Sequence, residues 1–376
     1  MDYIKLCDVC DFQGGSQPPK DEWSFTPKDG YVRMLQIRDF TQGERVIPEY
    51  IKLTNTTKIC EADDILIARY GASLGKILTG LSGAYNVAIM RTIPNTELLE
   101  KKYLYYYLKA PVFQNFLLRI GNRAAQAGFN KNDLQELLIP CVSRERQKEV
   151  VCILEKVETL ICALKQQLQK LDELVKARFI EMFDNWEYNT VRLGNVCTKI
   201  TDGTHKTPNY LDAGVPFISA KNIVNGKIDF SDIKYISEEE YMDIQKRCRT
   251  ELNDVLLTKS GSLGTPAIVK TSNRIGLFES LAVIKYDRTK LTPEFLCEQL
   301  KTERIQRQFR TGTKGVAIKH LHLGVIADVE IIVPDIERQN QFAAFVKQVD
   351  KLRIAVQKAL DETQMLFDSL MQKYFG

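Results

Sequence analysis

Two long stretches of the chain repeat apolar residues at alternating intervals of four and three positions, with polar residues between them. The first stretch begins near Glu145 and the second near Glu337, and they align without a gap. This heptad spacing predicts two long helices, at 144–183 and 335–376, each with one narrow apolar seam that Arg353 interrupts in the second copy. The predicted seam residues are Leu154, Val157, Ile161, Leu164, Leu168, Leu171, Val346, Val349, Val356, Leu360 and Phe367.

A narrow seam on a long helix requires one partner helix rather than a broad core. We therefore expect the two helices to pair with each other as an antiparallel coiled coil. Two alternatives stay open, because each seam could instead bind another subunit or fold back locally.

The segments before the two helices also repeat. Both contain short apolar runs that predict strands, at 31–37, 64–68, 215–220 and 254–258. Both contain longer stretches with helical spacing, at 101–119 and 293–310. The pattern therefore predicts two globular α+β domains, at residues 1–143 and 184–334, that alternate with the long helices in an internal pseudo-two-fold repeat.

Composition is that of an ordinary globular protein, with 44% hydrophobic and 27% charged residues. The 52 Lys and Arg residues nearly balance the 48 Asp and Glu residues, so bulk charge does not indicate a nucleic-acid binder. No apolar run reaches the roughly 18 residues of a membrane helix, and the first residues lack a signal-peptide pattern. We expect a cytoplasmic protein without a membrane partner, whose nine cysteines are reduced thiols.

No stretch of the sequence carries a complete enzyme signature. Cys7 and Cys10 form one Cys-x-x-C pair, but a zinc site needs four ligands and no second pair exists. Residues 71–76 superficially match a phosphate-binding loop, yet they are one residue short between the glycines. The motifs of amino-methyltransferases are missing as well. We expect a non-catalytic chain that holds no metal and no cofactor of its own.

Four short stretches have a distinctive amino-acid sequence. They are Asp-Gly-Thr-His-Lys-Thr-Pro at 202–208, Val-Pro-Phe-Ile-Ser-Ala-Lys-Asn-Ile at 215–223, Asp-Val-Leu-Leu at 254–257 and Pro-Asp-Ile-Glu-Arg-Gln at 334–339. Together with the repeat, these stretches resemble the DNA-specificity subunit of type I restriction-modification systems over essentially the full chain. The first domain matches less closely, through residues 14–18 and 33–39.

The resemblance implies that each domain is a target recognition domain reading one half of a split site in double-stranded DNA. The helices would form a spacer that docks two methyltransferase subunits and the restriction or translocase subunits. S-adenosylmethionine, ATP and magnesium are then expected in those partners. Two unlike domains imply an asymmetric bipartite site. The alternatives are a protein-binding coiled-coil adaptor and a DNA-binding component of a related defence or modification system.

Base readout requires Arg, Lys, Asn or Gln side chains on loops of a rigid scaffold, and phosphate contacts require mainly Lys and Arg. Such residues collect in equivalent loops of the two domains, at strand ends, and in the turn at 202–208, which could equally be ordinary turn chemistry. The predicted DNA-binding residues are Arg69, Arg123, Gln126, Asn130, Lys131, His205, Lys206, Lys221, Asn222, Lys259, Arg307, Arg310, Lys314 and Lys319.

Overall fold

The chain divides into two compact units in a computed structural model. One unit consists of Met1–Lys165 with Lys358–Gly376, and the other of Gln166–Gln357. Each unit therefore contains one mixed domain and one end of each long helix. The structure describes residues 2–121, 128–184, 188–312 and 320–376.

The first unit contains one antiparallel sheet, one mixed sheet and short helices. Its strands are β1 (Tyr3–Lys5), β2 (Cys10–Gly14), β3 (Trp23–Ser24), β4 (Tyr31–Leu35), β5 (Tyr50–Lys52), β6 (Ile59–Cys60), β7 (Leu66–Ala68), β8 (Ile77–Leu78), β9 (Gly83–Tyr85), β10 (Ile89–Pro94) and β11 (Leu138–Pro140). Its helices are α1 (Leu6–Val9), α2 (Ile37–Gln42), α3 (Lys101–Lys109), α4 (Pro111–Gly121) and the start of α5 (Arg144–Phe183). One sheet has the order β2-β10-β7-β8 and the other β3-β5-β4-β9-β6, while β1 pairs with β11.

The second unit repeats this plan. Its strands are β12 (Thr190–Arg192), β13 (Cys197–Asp202), β14 (Val215–Ile218), β15 (Ile223–Val224), β16 (Lys227–Ile228), β17 (Lys234–Ile236), β18 (Val255–Thr258), β19 (Pro266–Ile268), β20 (Gly276–Leu277), β21 (Leu281–Tyr286) and β22 (Glu330–Ile332). Its helices are α6 (Glu238–Arg247), α7 (Pro293–Lys301), α8 (Glu303–Gly312), α9 (Leu323–Asp328) and the start of α10 (Ile336–Phe375). The sheet β13-β21-β18-β19 has the same order as β2-β10-β7-β8, and β12 pairs with β22 as β1 does with β11.

Both units also contain one parallel strand pair, β4 with β9 and β14 with β20. The four predicted strands are confirmed as β4, β7, β14 and β18. The shared strand order confirms the α+β class and the internal repeat.

The two predicted helices at 101–119 and 293–310 are each broken into two. Ala110 adopts extended backbone (φ −69°, ψ 149°) because the following Pro111 disfavours a helical conformation at the residue before it. Thr302 has nearly the same backbone (φ −63°, ψ 145°) without a proline after it. Lys301 and Arg310 therefore belong to two different helices, α7 and α8.

A glutamine joins the two halves of each broken helix. Nε2 of Gln114 donates to a carbonyl in the last turn of α3 at 2.6 Å and to Gly75 at 3.0 Å. Nε2 of Gln306 makes the same pair of bonds, at 2.7 Å to the last turn of α7 and at 2.8 Å to Gly264. Each amide thus satisfies a carbonyl that the helix break leaves without a helical partner.

The long helices run antiparallel in both units. In the first unit, Leu154 near the start of α5 shares an apolar cluster with Tyr374 at the end of α10. In the second unit, the ring centroids of Phe179 and Phe183, at the end of α5, each lie 5.6 Å from that of Phe342 near the start of α10. This pairing confirms the predicted helix arrangement.

All predicted seam residues are buried or half-buried. Arg353, which interrupts the seam, is 15% exposed and donates to Asp172 of α5 at 2.6 Å and to Asp350 of its own helix. The interruption is therefore a charged layer that the opposite helix neutralises. In the described ranges, no helix is long and apolar enough to cross a bilayer.

A second glutamine attaches each long helix to its own domain. Gln339 is fully buried, its Nε2 donates to Lys290 and Pro334 at 2.8 Å each, and its Oε1 accepts from Thr292 at 2.9 Å. Gln147 makes the equivalent three bonds in the first unit. The repeated Glu-Arg-Gln stretch at the helix entries thus supplies a buried polar link.

Candidate nucleic-acid interface

Loops that follow several strands of the second unit converge at one edge of its sheets. The amide of Thr204 donates to Leu277 at 2.9 Å, and that of Lys259 donates to Ser280 at 2.8 Å. The amide of Leu321 donates in turn to Lys259 at 2.8 Å. We call this region the second edge; it consists of residues 202–206, 219–222, 259–261, 278–280 and 320–322.

The first unit contains the same arrangement. The amide of Ser16 donates to Tyr85 at 3.1 Å, as Thr204 does to its partner, and the amide of Arg69 donates to Ala88 at 2.8 Å, as Lys259 does. We call this region the first edge; it consists of residues 14–17, 36–38, 69–71, 86–88 and 128–129. The two edges therefore share a backbone framework.

One glycine at each edge allows the loops to approach so closely. A Cβ atom at Gly15 would collide with the carbonyl oxygens of Tyr85 and Asn86, and one at Gly203 would collide with that of Leu277. Glycine is needed here because two backbones pass within contact distance.

A short helical turn at each edge presents a cation. The turn in the first unit is capped by Gln36 and Asp39, and the turn in the second unit by Ser219 and Asn222. These capping boxes bracket Arg38 and Lys221, both of which are exposed. The two cations occupy equivalent places on the shared framework.

The second edge is built on a buried ion pair. The carboxylate of Asp202, 4% exposed, accepts from the ammonium of Lys259, 3% exposed, and from the guanidinium of Arg247. Burial acts to raise the pKa of Asp202, but the bonds from these two cations outweigh it and hold this pKa below its ordinary value.

His205 connects this ion pair to the surface. Its Nδ1 lies 2.7 Å from the carboxylate of Glu279, and its Nε2 lies 3.2 Å from Nη2 of Arg247. The same Nε2 lies 3.3 Å from the carboxylate of Asp202. Burial, followed by the charge of Lys259, lowers the pKa of the nearby His320.

The first edge has different side chains on the same framework. Gly14 stands where the second unit has Asp202, so no carboxylate faces Arg69 from that position. Arg69 donates instead to the carbonyls of Phe129 at 3.0 Å and Val87 at 3.3 Å. Tyr70 and Val87 are 40% and 43% exposed, which makes this edge more apolar than the second.

Several predicted DNA-binding residues lie at the surface. His205, Lys206 and Lys221 belong to the second edge. Arg307 is exposed and pairs with Glu303, which also accepts from Arg310. Lys131 is 53% exposed and pairs with Asp11. These assignments stay predictions. Those that lie outside the described residues are Arg123, Gln126, Lys314 and Lys319.

Other predicted contacts have structural partners. The side chain of Lys259 is 3% exposed and pairs with the carboxylate of Asp202, so little of it is accessible to DNA, and its predicted contact with DNA stays a prediction. The side chains of Asn130 and Asn222 accept from backbone amides as helix caps. Arg69, half-buried, bonds two carbonyls of its own edge.

Asp202, Arg247 and Glu279 are members of the edge that residue type alone did not indicate. Asp202 lies within the distinctive stretch at 202–208, but a carboxylate repels phosphate and is not an expected phosphate ligand. Among the described residues, no cluster of three or more His, Cys, Asp or Glu side chains could hold a metal ion.

Comparison with known proteins gives these edges a context. The family model for the type I restriction modification DNA specificity domain matches residues 1–173 and again residues 184–363. The chain belongs to this family. The specificity subunit of the type I restriction enzyme MjaVIII from Methanocaldococcus jannaschii is 22% identical, covering 86% of this chain and 80% of that protein. The EcoBI specificity subunit from Escherichia coli is also 22% identical, covering 93% and 80%.

Solved structures of type I specificity subunits share this fold. The S subunit from M. genitalium aligns over 100% of this chain and 96% of its own, with 15% identity and a TM-score of 0.56. A chain from a study of complex assembly and conformational transition of the type I R-M system aligns over 100% and 97%, with 19% identity and a TM-score of 0.58. The twofold family match agrees with the two units of the structure.

Proposed function

We propose that this type I specificity subunit reads a bipartite, asymmetric DNA site, with one recognition domain for each half-site. The domains are residues 1–143 and 184–334, and their first and second edges face the DNA. The chain itself is non-catalytic. It docks methyltransferase and restriction subunits through the helices at 144–183 and 335–376.

One observation carries this proposal: a common backbone framework presents different side chains at the two edges. The first edge offers Arg38, which is paired with Glu49 and is partly exposed, together with the exposed Tyr70 and Val87. This combination is suited to phosphate contact and to the thymine methyl group. The second edge offers Lys221 and Arg247 beside carboxylates. A shared framework with unlike surfaces is suited to reading two unlike sequences in one geometry.

Methylation requires chemistry that we assign to partners. A subunit that only reads DNA depends on partner subunits for the methyl donor and, for cleavage, for an ATP-driven motor. S-adenosylmethionine, ATP and magnesium would therefore be bound by the other subunits.

The decisive experiment is single-molecule methylation sequencing of the source strain with the gene intact and deleted. Loss of one bipartite, asymmetric N6-methyladenine motif on deletion is expected. An unchanged methylome would contradict the proposal. Binding of DNA by the purified chain, with an affinity that falls steeply as salt rises, would then separate a DNA-binding component of another system from a protein-binding adaptor.

Two equivalent cations provide a matched pair of variants. Arg38→Ala should weaken or relax recognition of one half-site, and Lys221→Ala that of the other, because each belongs to one edge. Each variant is the control for the other. If both variants affect the same half-site, the assignment of one domain to one half-site is wrong.

A further inference from the structure

Arg247 is the last residue of α6, and it reaches the second edge from outside the shared framework. Its Nη2 donates to Asp202 and lies 3.2 Å from Nε2 of His205. Its side chain is 55% exposed. Within the described part of the chain, Nη1 and Nε make no hydrogen bond. The guanidinium is thus fixed through one nitrogen while its other donors face solvent.

Arg247 is not required to neutralise the buried carboxylate. The ammonium of Lys259 is as deeply buried as Asp202 and already supplies one opposite charge. Asp202 and Lys259 together are neutral, so the guanidinium brings one positive charge to an edge that also carries the carboxylate of Glu279. The ion pair therefore holds the guanidinium of Arg247 in position, and the charge of Asp202 is already balanced by Lys259.

The repeat shows that this device is not part of the common framework. The first unit has Gly14 in place of Asp202, yet its edge keeps the same backbone bonds. The first-unit segment between β5 and β7 contains β6 and no helix, whereas α6 occupies the corresponding segment of the second unit. Arg247 and its carboxylate therefore belong to what distinguishes the second edge from the first.

We propose that Arg247 reads a guanine in the half-site bound by the second unit, and that Asp202 and Lys259 position it; this rests on the proposed function. The guanidinium carries donors only. Of the base edges in the major groove, that of guanine offers two neighbouring acceptors, N7 and O6, and no donor. Because the bond to Asp202 already restricts the side chain, less conformational freedom is lost when it binds the base.

Methylation sequencing of strains with single substitutions tests this inference. Arg247→Ala should yield a motif in which one guanine of one half-site accepts other bases, with discrimination at that position falling about 10- to 100-fold. Arg247→Lys should keep part of that discrimination. Asp202→Asn should relax discrimination at the same position, because it removes the negative charge that holds the guanidinium of Arg247 in place. Arg249→Ala is the control, because Arg249 is 72% exposed and pairs only loosely with Glu251 at 3.5 Å.

Each outcome decides the inference. The inference is overturned if the Arg247→Ala strain keeps the parental motif, or if the affected half-site contains no guanine. A partial loss of methylation that is equal at all sequences would also overturn it and would point to a phosphate contact. If Arg247→Ala abolishes methylation altogether, Arg247→Lys and Arg247→Gln decide, and parental discrimination in both overturns the inference. An unchanged methylome on gene deletion instead rejects the proposed function itself. The other half-site, which the first unit reads, should stay unchanged in the motif, and this shows that the complex still assembles.

Discussion

Replacing Gln339 by leucine should weaken the attachment of α10 to its domain while preserving side-chain volume. The change removes three hydrogen bonds, to Lys290, Pro334 and Thr292, of which those to Pro334 and Thr292 are fully buried. A buried polar group left unsatisfied costs about 1–3 kcal/mol, so the two together should cost about 3 kcal/mol. That cost corresponds to an increase of roughly 100-fold in the equilibrium constant for local opening.

Hydrogen exchange read by mass spectrometry is the appropriate assay, because a chain with two units does not unfold in one two-state step. Peptides covering the start of α7 should lose protection in Gln339→Leu and keep it in Gln341→Leu. Gln341 lies two residues further along the same helix and is exposed, so it receives the same substitution without losing a buried bond. Equal protection in the two variants would refute the role assigned to Gln339.

Three further predictions follow from features of the same structure. Replacing both Leu164 and Leu168 by glutamine should abolish binding to the split site without loss of helical circular dichroism, and retained binding would contradict the coiled-coil spacer. Gly203→Ala should destabilise the second unit by about 2 kcal/mol, measured by hydrogen exchange in the peptides of that unit, because the added Cβ collides with backbone carbonyls. The stability advantage of the parent over Asp202→Asn should be complete above the unfolded-state pKa of about 3.9 and disappear as the pH falls through the lower folded-state value. A stability advantage that is the same at neutral pH and at every pH below about 3.9, measured by acid titration of the unfolding temperature, would contradict this ion pair.

The sequence was sufficient for features that depend on local pattern. Heptad spacing predicted both long helices, and the duplication predicted two α+β domains with strands at equivalent places. The proline at 111 was a visible signal for the break in the first helix pair. The matching break at Thr302 had no such signal, since it depends on Gln306 reaching carbonyls in other segments.

The site was less predictable because its contacts are distant in sequence. Lys259 resembles an exposed strand-end cation until Asp202, from another strand, is placed against it. Arg247 belongs to a helix that has no counterpart in the first unit, so the repeat could not point to it. Asn222 is of a residue type that reads bases, but its side chain accepts a backbone hydrogen bond as part of a helix cap. Residue type alone could not separate these roles.

The charged layer around Arg353 has a consequence for assembly. An unbroken seam of Val and Leu would permit the helices to slide by one heptad with little change in apolar burial. Such a slide would bring Lys165 or Phe179 to the place of Asp172 and leave the arginine half-buried beside a like charge or an aromatic ring. Arg353 would keep Asp350 of its own helix but lose the carboxylate of Asp172, and a half-buried charge that loses one of its counter-ions is destabilised. The charged layer therefore lowers the stability of the apolar seam but favours one alignment of the two helices. An alignment shifted by a heptad is disfavoured within the chain itself, without any contribution from a partner subunit.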